Sequence, residues 1–545
     1  CVTTACNGWV AGHGKIWGAD PREIGESDLI VVWGGNPVST QVNVMTHIAK
    51  ARKTRGAKLV VIDPYRTPTA EAADIHIPIR PGTDGALACA VMQVLFAENL
   101  ADWDYMREFS DGPERLQQHL TTRTPEWAEE ITGIPAADIR DFARLYGKTE
   151  RAYLRVGYGF TRSRNGAANM HAVTCLPVVT GKWKHRGGGA LFSNRELYGV
   201  DGTLIKGLDV VAPNTRALDM SQIGRVLTGD AKALQGGPPV TVLFTQNINP
   251  AEVAPETTRV IDGMMRDDLF TCVHEQFMTA SAKLADIVLP ATMFLEHEDM
   301  YQGGGHFYLQ VHKALIEPLG ECRSNVDVIN GLARRLGSDY PAFHMTAWEL
   351  IDDALRRSGR PGADEVLAEG WIDCTKPFEE AHFLNGFGHG DGKFHFAADW
   401  SKIGADCDAM SALPDHLDVI DGATDAHPYR LVAAPARRFL NTSFTEMPSS
   451  RKKEGRPMAL VHPDTCKTLG LEEGDRVRLG NDLGDLVVHV RPFDGLQAHT
   501  VVVEGIWPNE AFEEGRGINT IISADAALPG GGAAFHDTAI WMRPA

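Results

Sequence analysis

Leu29–Pro37 reads LIVVWGGNP and Val240–Pro250 reads VTVLFTQNINP. Each is an apolar, β-branched run that stops at Asn-Pro, the pattern of a parallel strand buried on both faces. The segments downstream of the two runs repeat as well. KLVVIDP (Lys58–Pro64) leads through Thr69 and Ala70 to AADIHIP (Ala72–Pro78), and LFTCVHE (Leu269–Glu275) leads through Thr279 and Ala280 to LADIVLP (Leu284–Pro290). Asn36 and Asp74 are 38 positions apart, Asn249 and Asp286 37. Two distant stretches that keep their internal spacing imply a duplicated architecture.

The segments between runs, Val42–Arg55 and Pro255–Arg266, are long enough for crossover helices, so each unit reads as a βαβ. Ligands of such sheets sit beyond the carboxyl ends of the strands. Gly34, Gly35 and Asn36 hold that position in the first unit, and Gln246, Asn247 and Asn249 in the second. Asp63 ends the next strand of the first unit, as His274 and Glu275 do in the second, where an acid can accept hydrogen bonds from a ribose or a purine edge. Ordinary turn residues would satisfy either unit alone. The matched pair suggests one ligand, or two, with similar nucleotide ends.

At 545 residues and 43% apolar content the chain is globular and long enough for three or four domains. Its formal net charge of -18 is spread without long acidic runs, which argues against nucleic-acid binding. No apolar run reaches the roughly 18 residues of a membrane helix. Nine cysteines are scattered without a CxxC, which gives neither a zinc site nor a complete iron–sulfur site. An odd number of thiols in apolar contexts fits a reducing, cytoplasmic setting. The chain begins at Cys1, and an export signal would lie outside it.

Three divisions are expected: a first α/β unit over 1–205, a second over 206–424, and a β-rich unit over 425–545. The stretch 202–237 is weakly patterned and 341–424 is mixed and aromatic, without a clear period. In the last unit, short strands separated by turns flank VHPDTCKTLGLEEGDRVRL (Val461–Leu479), which combines a Pro-Asp helix start, a Gly470 stop and an alternating strand.

Taken together, the two Asn-Pro strands, RPGTDGAL (Arg80–Leu87), LRVGYGF (Leu154–Phe160), TASAKLADIVLPA (Thr279–Ala291), EHED (Glu296–Asp299) and the C-terminal unit resemble the molybdopterin oxidoreductases of the dimethyl sulfoxide reductase and formate dehydrogenase type. The resemblance covers nearly the whole chain in order. It implies two α/β domains with largely parallel sheets, related by a pseudo-two-fold axis, plus a C-terminal double-psi β-barrel. It implies molybdenum or tungsten held by two molybdopterin guanine dinucleotides. By that comparison Gly34, Asn36, Asp63 and Asp84 contact one dinucleotide, and Gln246, Asn249 and Glu275 the other, with Gly157 and Gly159 as further cofactor-binding positions. Asn441 and Asn519 match pterin-side contacts. Helix-start N–H groups would meet the pyrophosphates.

The protein ligand to the metal is expected in CVTTACNGWVAG, from Cys6, followed by a glycine-containing loop, or from Cys1. A soft metal suits either thiolate. His13, Lys15, His185 and Arg186 fall in expected loops and are candidates to orient an anion, His185 and Arg186 as catalytic groups. Two departures from the family stand out. The residue after Cys6 is Asn7, and after Cys1 it is Val2, where formate enzymes carry His, so formate oxidation is doubtful. The [4Fe-4S] domain usual at the N-terminus is not in this chain, and its cluster is expected in a segment preceding Cys1. The expected activity is two-electron chemistry on a small substrate, oxygen-atom transfer foremost, with an electron-transfer subunit as a possible partner. Two other readings are a metal-free structural subunit of the same fold, as in the large peripheral subunit of respiratory complex I, and a nicotinamide dehydrogenase. The second lacks its GxGxxG.

Overall fold

The computed structural model describes residues 2–545. Strands β1 (Leu29–Trp33), β2 (Lys58–Ile62), β3 (Ile75–Ile77), β4 (Ala152–Val156) and β5 (Gly189–Leu191) form one parallel sheet in the order β3-β2-β1-β4-β5. All five residues of β1 are buried, as its uninterrupted apolar run requires at the centre of the sheet. The helices Asp84–Ala97 and Gly166–Val179 are buried along nearly their whole length and belong to the core.

β6 (Val242–Gln246), β7 (Phe270–Glu275) and β8 (Ile287–Pro290) form the second parallel sheet. The repetition extends to single hydrogen bonds. In the first unit Thr69 Oγ1 donates to Asn36 Oδ1 at 2.7 Å and accepts from Val38 N at 3.1 Å. In the second, Ser281 Oγ donates to Asn249 Oδ1 at 2.7 Å and accepts from Ala251 N at 3.0 Å. Asp74 accepts from Leu59 N, and Asp286 from Thr271 N, both at 2.7 Å. Thr67 and Thr279 cap the next helical turns, each at 3.2 Å.

β9 (Asp299–Gln302), β10 (Tyr308–His312) and β11 (Ile372–Asp373) make a small antiparallel sheet. β12 (Tyr429–Ala434), β13 (Met458–Val461), β14 (Arg476–Asn481), β15 (Gly484–Pro492), β16 (Thr500–Glu504) and β17 (Thr538–Pro544) close a six-stranded barrel in the order β12-β16-β13-β15-β14-β17. The helix Pro463–Leu469 ends at Gly470, whose φ of 66° satisfies the left-handed cap.

The division at 205 and 424 does not follow the packing. Phe307 and Leu309, together with Phe383, Phe387, Phe394 and Phe396, are buried in the core of the first α/β unit. The second sheet has its own smaller core, around Leu227, Val260 and Met264. The aromatic stretch resisted assignment because its rings fill gaps between elements, which imposes no helical or strand period. Among the described residues no helix is long and apolar enough to cross a membrane.

Candidate cofactor site

At the carboxyl end of the first sheet, Asp63 and Asp84 are 8% and 2% exposed. Burial pushes the Asp63 carboxyl up to about 8 and that of Asp84 up to about 7. Neither has a cationic partner among the described residues. Asp84 accepts a hydrogen bond from Trp33 Nε1 at 2.7 Å, and His76 Nε2 lies 3.0 Å from the Asp63 carbonyl oxygen. Buried acceptors left this way suit the N–H edge of a purine.

Gly34 (φ +61°) brings the end of β1 against the end of β4. A Cβ at Gly157 would stand 2.1 Å from Gly34 O, and one at Gly159 2.7 Å from it. Both glycines therefore serve the approach of two loops. Asn36 and Asn249 are cross-ties within their units, their Oδ1 atoms occupied by Thr69 and Ser281. Asn249 Nδ2 also donates to Glu252 at 2.6 Å. In the second unit Gln246 Nε2 lies 3.0 Å from His274 Nδ1, and the half-buried Glu275 accepts from Gln276 N at 2.8 Å. Burial pushes the Glu275 carboxyl above its ordinary range.

A cavity of about 1290 Å³ lies where both α/β units and the barrel meet. Its walls include Val2 and Thr3, Arg162 and Arg164, Ile248 and Val253, and Asn441 and Asn519. Sites for drug-sized ligands run roughly 300–1,000 Å³, so this one has room for something larger. Asn519 is 1% exposed; its Nδ2 donates to Glu252 O at 2.7 Å, but its Oδ1 has no partner. Arg164 is paired with Asp537 (2.9 Å) and Asp421. Arg162, by contrast, engages no carboxylate among the described residues, and its buried Nε is unpartnered. An uncompensated guanidinium in a cavity wall is a seat for an anion. The sequence pattern did not single it out, although TRSRNG directly follows the glycine turn of β4.

Cys6 does not stand in a loop. Val2–His13 is one helix, and its glycines serve contact: a Cβ at Gly8 would stand 2.3 Å from Ala167 O, and one at Gly12 2.5 Å from the Phe394 ring. The helix begins at the cavity wall and carries Cys6 one turn further, 9% exposed. Burial pushes the Cys6 thiol up, and the Arg195 guanidinium opposes this; Glu196 and Tyr158 complete its polar surroundings. Glu196 is anchored by accepting from Ile16 N at 2.8 Å. Cys1 lies outside the described residues. Among those described, no three His, Cys, Asp or Glu side chains converge into a metal cage. A metal would have to arrive on a group that brings most of its own ligands.

The four expected anion-orienting residues lie elsewhere. His13 ends the first helix, fully buried and stacked on Trp9 at 4.0 Å, and burial pulls its pKa well below the ordinary value. The Lys15 ammonium lies over the Trp17 ring at 4.8 Å. His185 lies 3.4 Å from Glu150, and Arg186 3.3 Å from Glu23. Glu150 lies two residues before β4 and Glu23 precedes β1, so His185 and Arg186 occupy the amino end of the sheet, opposite the cavity. The charged residue beside the thiol is Arg195, a few positions past β5.

A family model described as molybdopterin oxidoreductase matches residues 7–335, and one described as molydopterin dinucleotide binding domain matches residues 429–539. The chain is 33% identical over 541 residues to probable oxidoreductase YoaE of Bacillus subtilis (strain 168), covering 98% of this chain and 77% of that protein. It is 27% identical to the dimethyl sulfoxide/trimethylamine N-oxide reductase of Rhodobacter capsulatus, covering 92% and 69%. The solved structure of acetylene hydratase from Pelobacter acetylenicus superposes with a TM-score of 0.80 at 21% identity, covering 100% and 81%, a likeness of fold.

Proposed function

Because this chain belongs to the molybdopterin oxidoreductase family, we propose that it is a molybdenum or tungsten enzyme that moves two electrons and an oxygen atom between a bis(molybdopterin guanine dinucleotide) centre and a small substrate. The observation that carries the reading is the cavity of about 1290 Å³, whose wall holds an unpartnered Asn519 oxygen and an Arg162 that engages no carboxylate among the described residues.

The residues fit the group. Asp63 and Asp84 would accept hydrogen bonds from one guanine, and Gln246 and Glu275, at the corresponding strand ends, would meet the other. Arg162 would meet a phosphate, and Asn519 Oδ1 a pterin N–H. Cys6 would supply the protein thiolate. When bound, the group supplies a metal centre that exchanges two electrons and an oxygen atom with substrate. The chain's own part is to hold the thiolate on a rigid helix, to keep Arg195 and Glu196 beside it, and to exclude water by burial. Asn7 after Cys6 argues against formate as the substrate.

The test is expression in a host that makes the cofactor, followed by metal and pterin analysis and dye-linked assays with sulfoxides, N-oxides and nitrate. Near-stoichiometric Mo or W with two guanine nucleotides per chain is expected. Cys6→Ala should keep both nucleotides, lose one sulfur from the metal's absorption-edge spectrum and lose turnover. A wild-type protein purified with pterin nucleotide but no metal, or a Cys6→Ala variant with an unchanged sulfur count, would refute the respective assignment.

A further inference from the structure

At the edge of the large cavity the barrel carries a stretch whose charge runs against the rest of the chain. Arg437 and Arg438 on the loop after β12, Lys452 and Lys453 on the helix Pro448–Glu454, and Arg456 just beyond it are all exposed. Arg451 of the same helix pairs with Glu510 at 3.5 Å, but among the described residues no ion pair engages these five. Loop and helix form one surface: Arg438 N donates to Glu454 at 2.6 Å, and Arg451 Nε donates to Thr445 O. On this loop Leu440, Phe444 and Met447 are 66%, 49% and 45% exposed. A chain with a formal net charge of -18 thus carries five exposed cations without an ion pair, against two acids (Glu446 and Glu454), on the loop and helix that also expose three apolar side chains. An apolar centre within a charged rim is the make-up of a protein interface, and a positive patch selects a negative partner. The same loop lines the cavity through Phe439 and Asn441, so whatever docks here sits beside the bound group.

We propose that this surface docks a small acidic electron-carrier protein, of the one-electron iron–sulfur or flavin kind. The proposal rests on the oxidoreductase reading above. In the reducing direction two reduced carriers dock in turn and each gives up one electron. Those two electrons and two protons convert one oxygenated substrate molecule into its deoxygenated product and one water, leaving two oxidised carriers. Oxidation runs the same balance backwards.

The test uses the metal-loaded enzyme and compares an acidic [2Fe-2S] ferredoxin with methyl viologen as electron donors. For Lys452→Glu/Lys453→Glu, kcat/KM for ferredoxin should fall about tenfold or more and lose much of its salt dependence, as expected when steering charges are reversed. Viologen turnover, metal content and melting temperature should stay at wild-type values. The milder Lys452→Gln/Lys453→Gln should fall in between. Unchanged ferredoxin kinetics would overturn the proposal. So would an equal loss with viologen, which would assign the patch to the cofactor's own site. If the wild type holds metal but turns over with neither donor, the oxidoreductase reading fails. Low-salt binding of ferredoxin, lost in the charge-reversed variant, would still support the surface, and its absence in the wild type would overturn it.

Discussion

Asp63 and Asp84 show how a proposed cofactor site can be written into single side chains. Both acids are held up, to about 8 and about 7, by burial without a counter-charge. The folded protein therefore binds more protons than the unfolded chain between the ordinary carboxyl range and those values. Their contribution to stability is full below about pH 4 and is lost as pH rises through 7 to 8. In cofactor-free protein the melting temperature should accordingly fall between pH 5 and pH 8, and Asp63→Asn should flatten that fall. Unfolding scans of the two proteins across this range check it, and equal slopes would contradict it. These acids could be read from sequence because a strand end followed by Pro, or a helix start after RPGT, is a position defined by the pattern itself. Arg195 and Arg162 could not, because loop position alone does not say which way a loop turns. For the same reason the pattern could not say that His185 and Arg186, equally basic and glycine-flanked, fall at the amino end of the sheet.

Among the elements, the duplicated Asn-Pro turns act as fastenings. Asn249 is 3% exposed and satisfies Ser281 and Glu252 together, whereas Asn36 is half-buried and faces the more exposed Ser39. Asn249→Ala should cost roughly 3 kcal/mol or more, since orphaning a buried polar group costs about 1–3 kcal/mol and three groups, Ser281 N, Ser281 Oγ and the Glu252 carboxylate, lose a partner. Asn36→Ala should cost less, because water can replace its bonds. Denaturant titration of both variants measures the difference, and an equal or reversed order would show that the units are not fastened as described. The strands themselves were legible because a buried parallel strand has to be apolar and uninterrupted. The first helix was not. Gly8 and Gly12 look like loop residues in sequence, but here their missing side chains admit Ala167, Met170 and Phe394. A glycine marks either a turn or a close contact, and only the partner decides which.

For the molecule as a whole, the large cavity is the joint product of three packing units. A ligand filling it touches all three and binds only the folded chain. Protein carrying the cofactor should therefore melt several degrees above protein from a host unable to make it, since ligand at a hundred times its Kd adds about 2.7 kcal/mol. Calorimetry of both forms measures this; equal melting temperatures, or a shift confined to one of two separate transitions, would count against a shared cavity. The boundaries expected at 205 and 424 cut across one core, because the rings of Phe383 to Phe396 join the first core from far along the chain. The same long reach has a consequence for biosynthesis. Thr3 and Phe535 face the same space, and neither has it as a neighbour until almost everything between them has been translated and folded. A ribosome-bound chain thus offers no finished receptacle. On the proposed reading the metal group would enter last, into a nearly complete molecule, and whatever delivers it would have to recognise the folded surface and not an emerging segment.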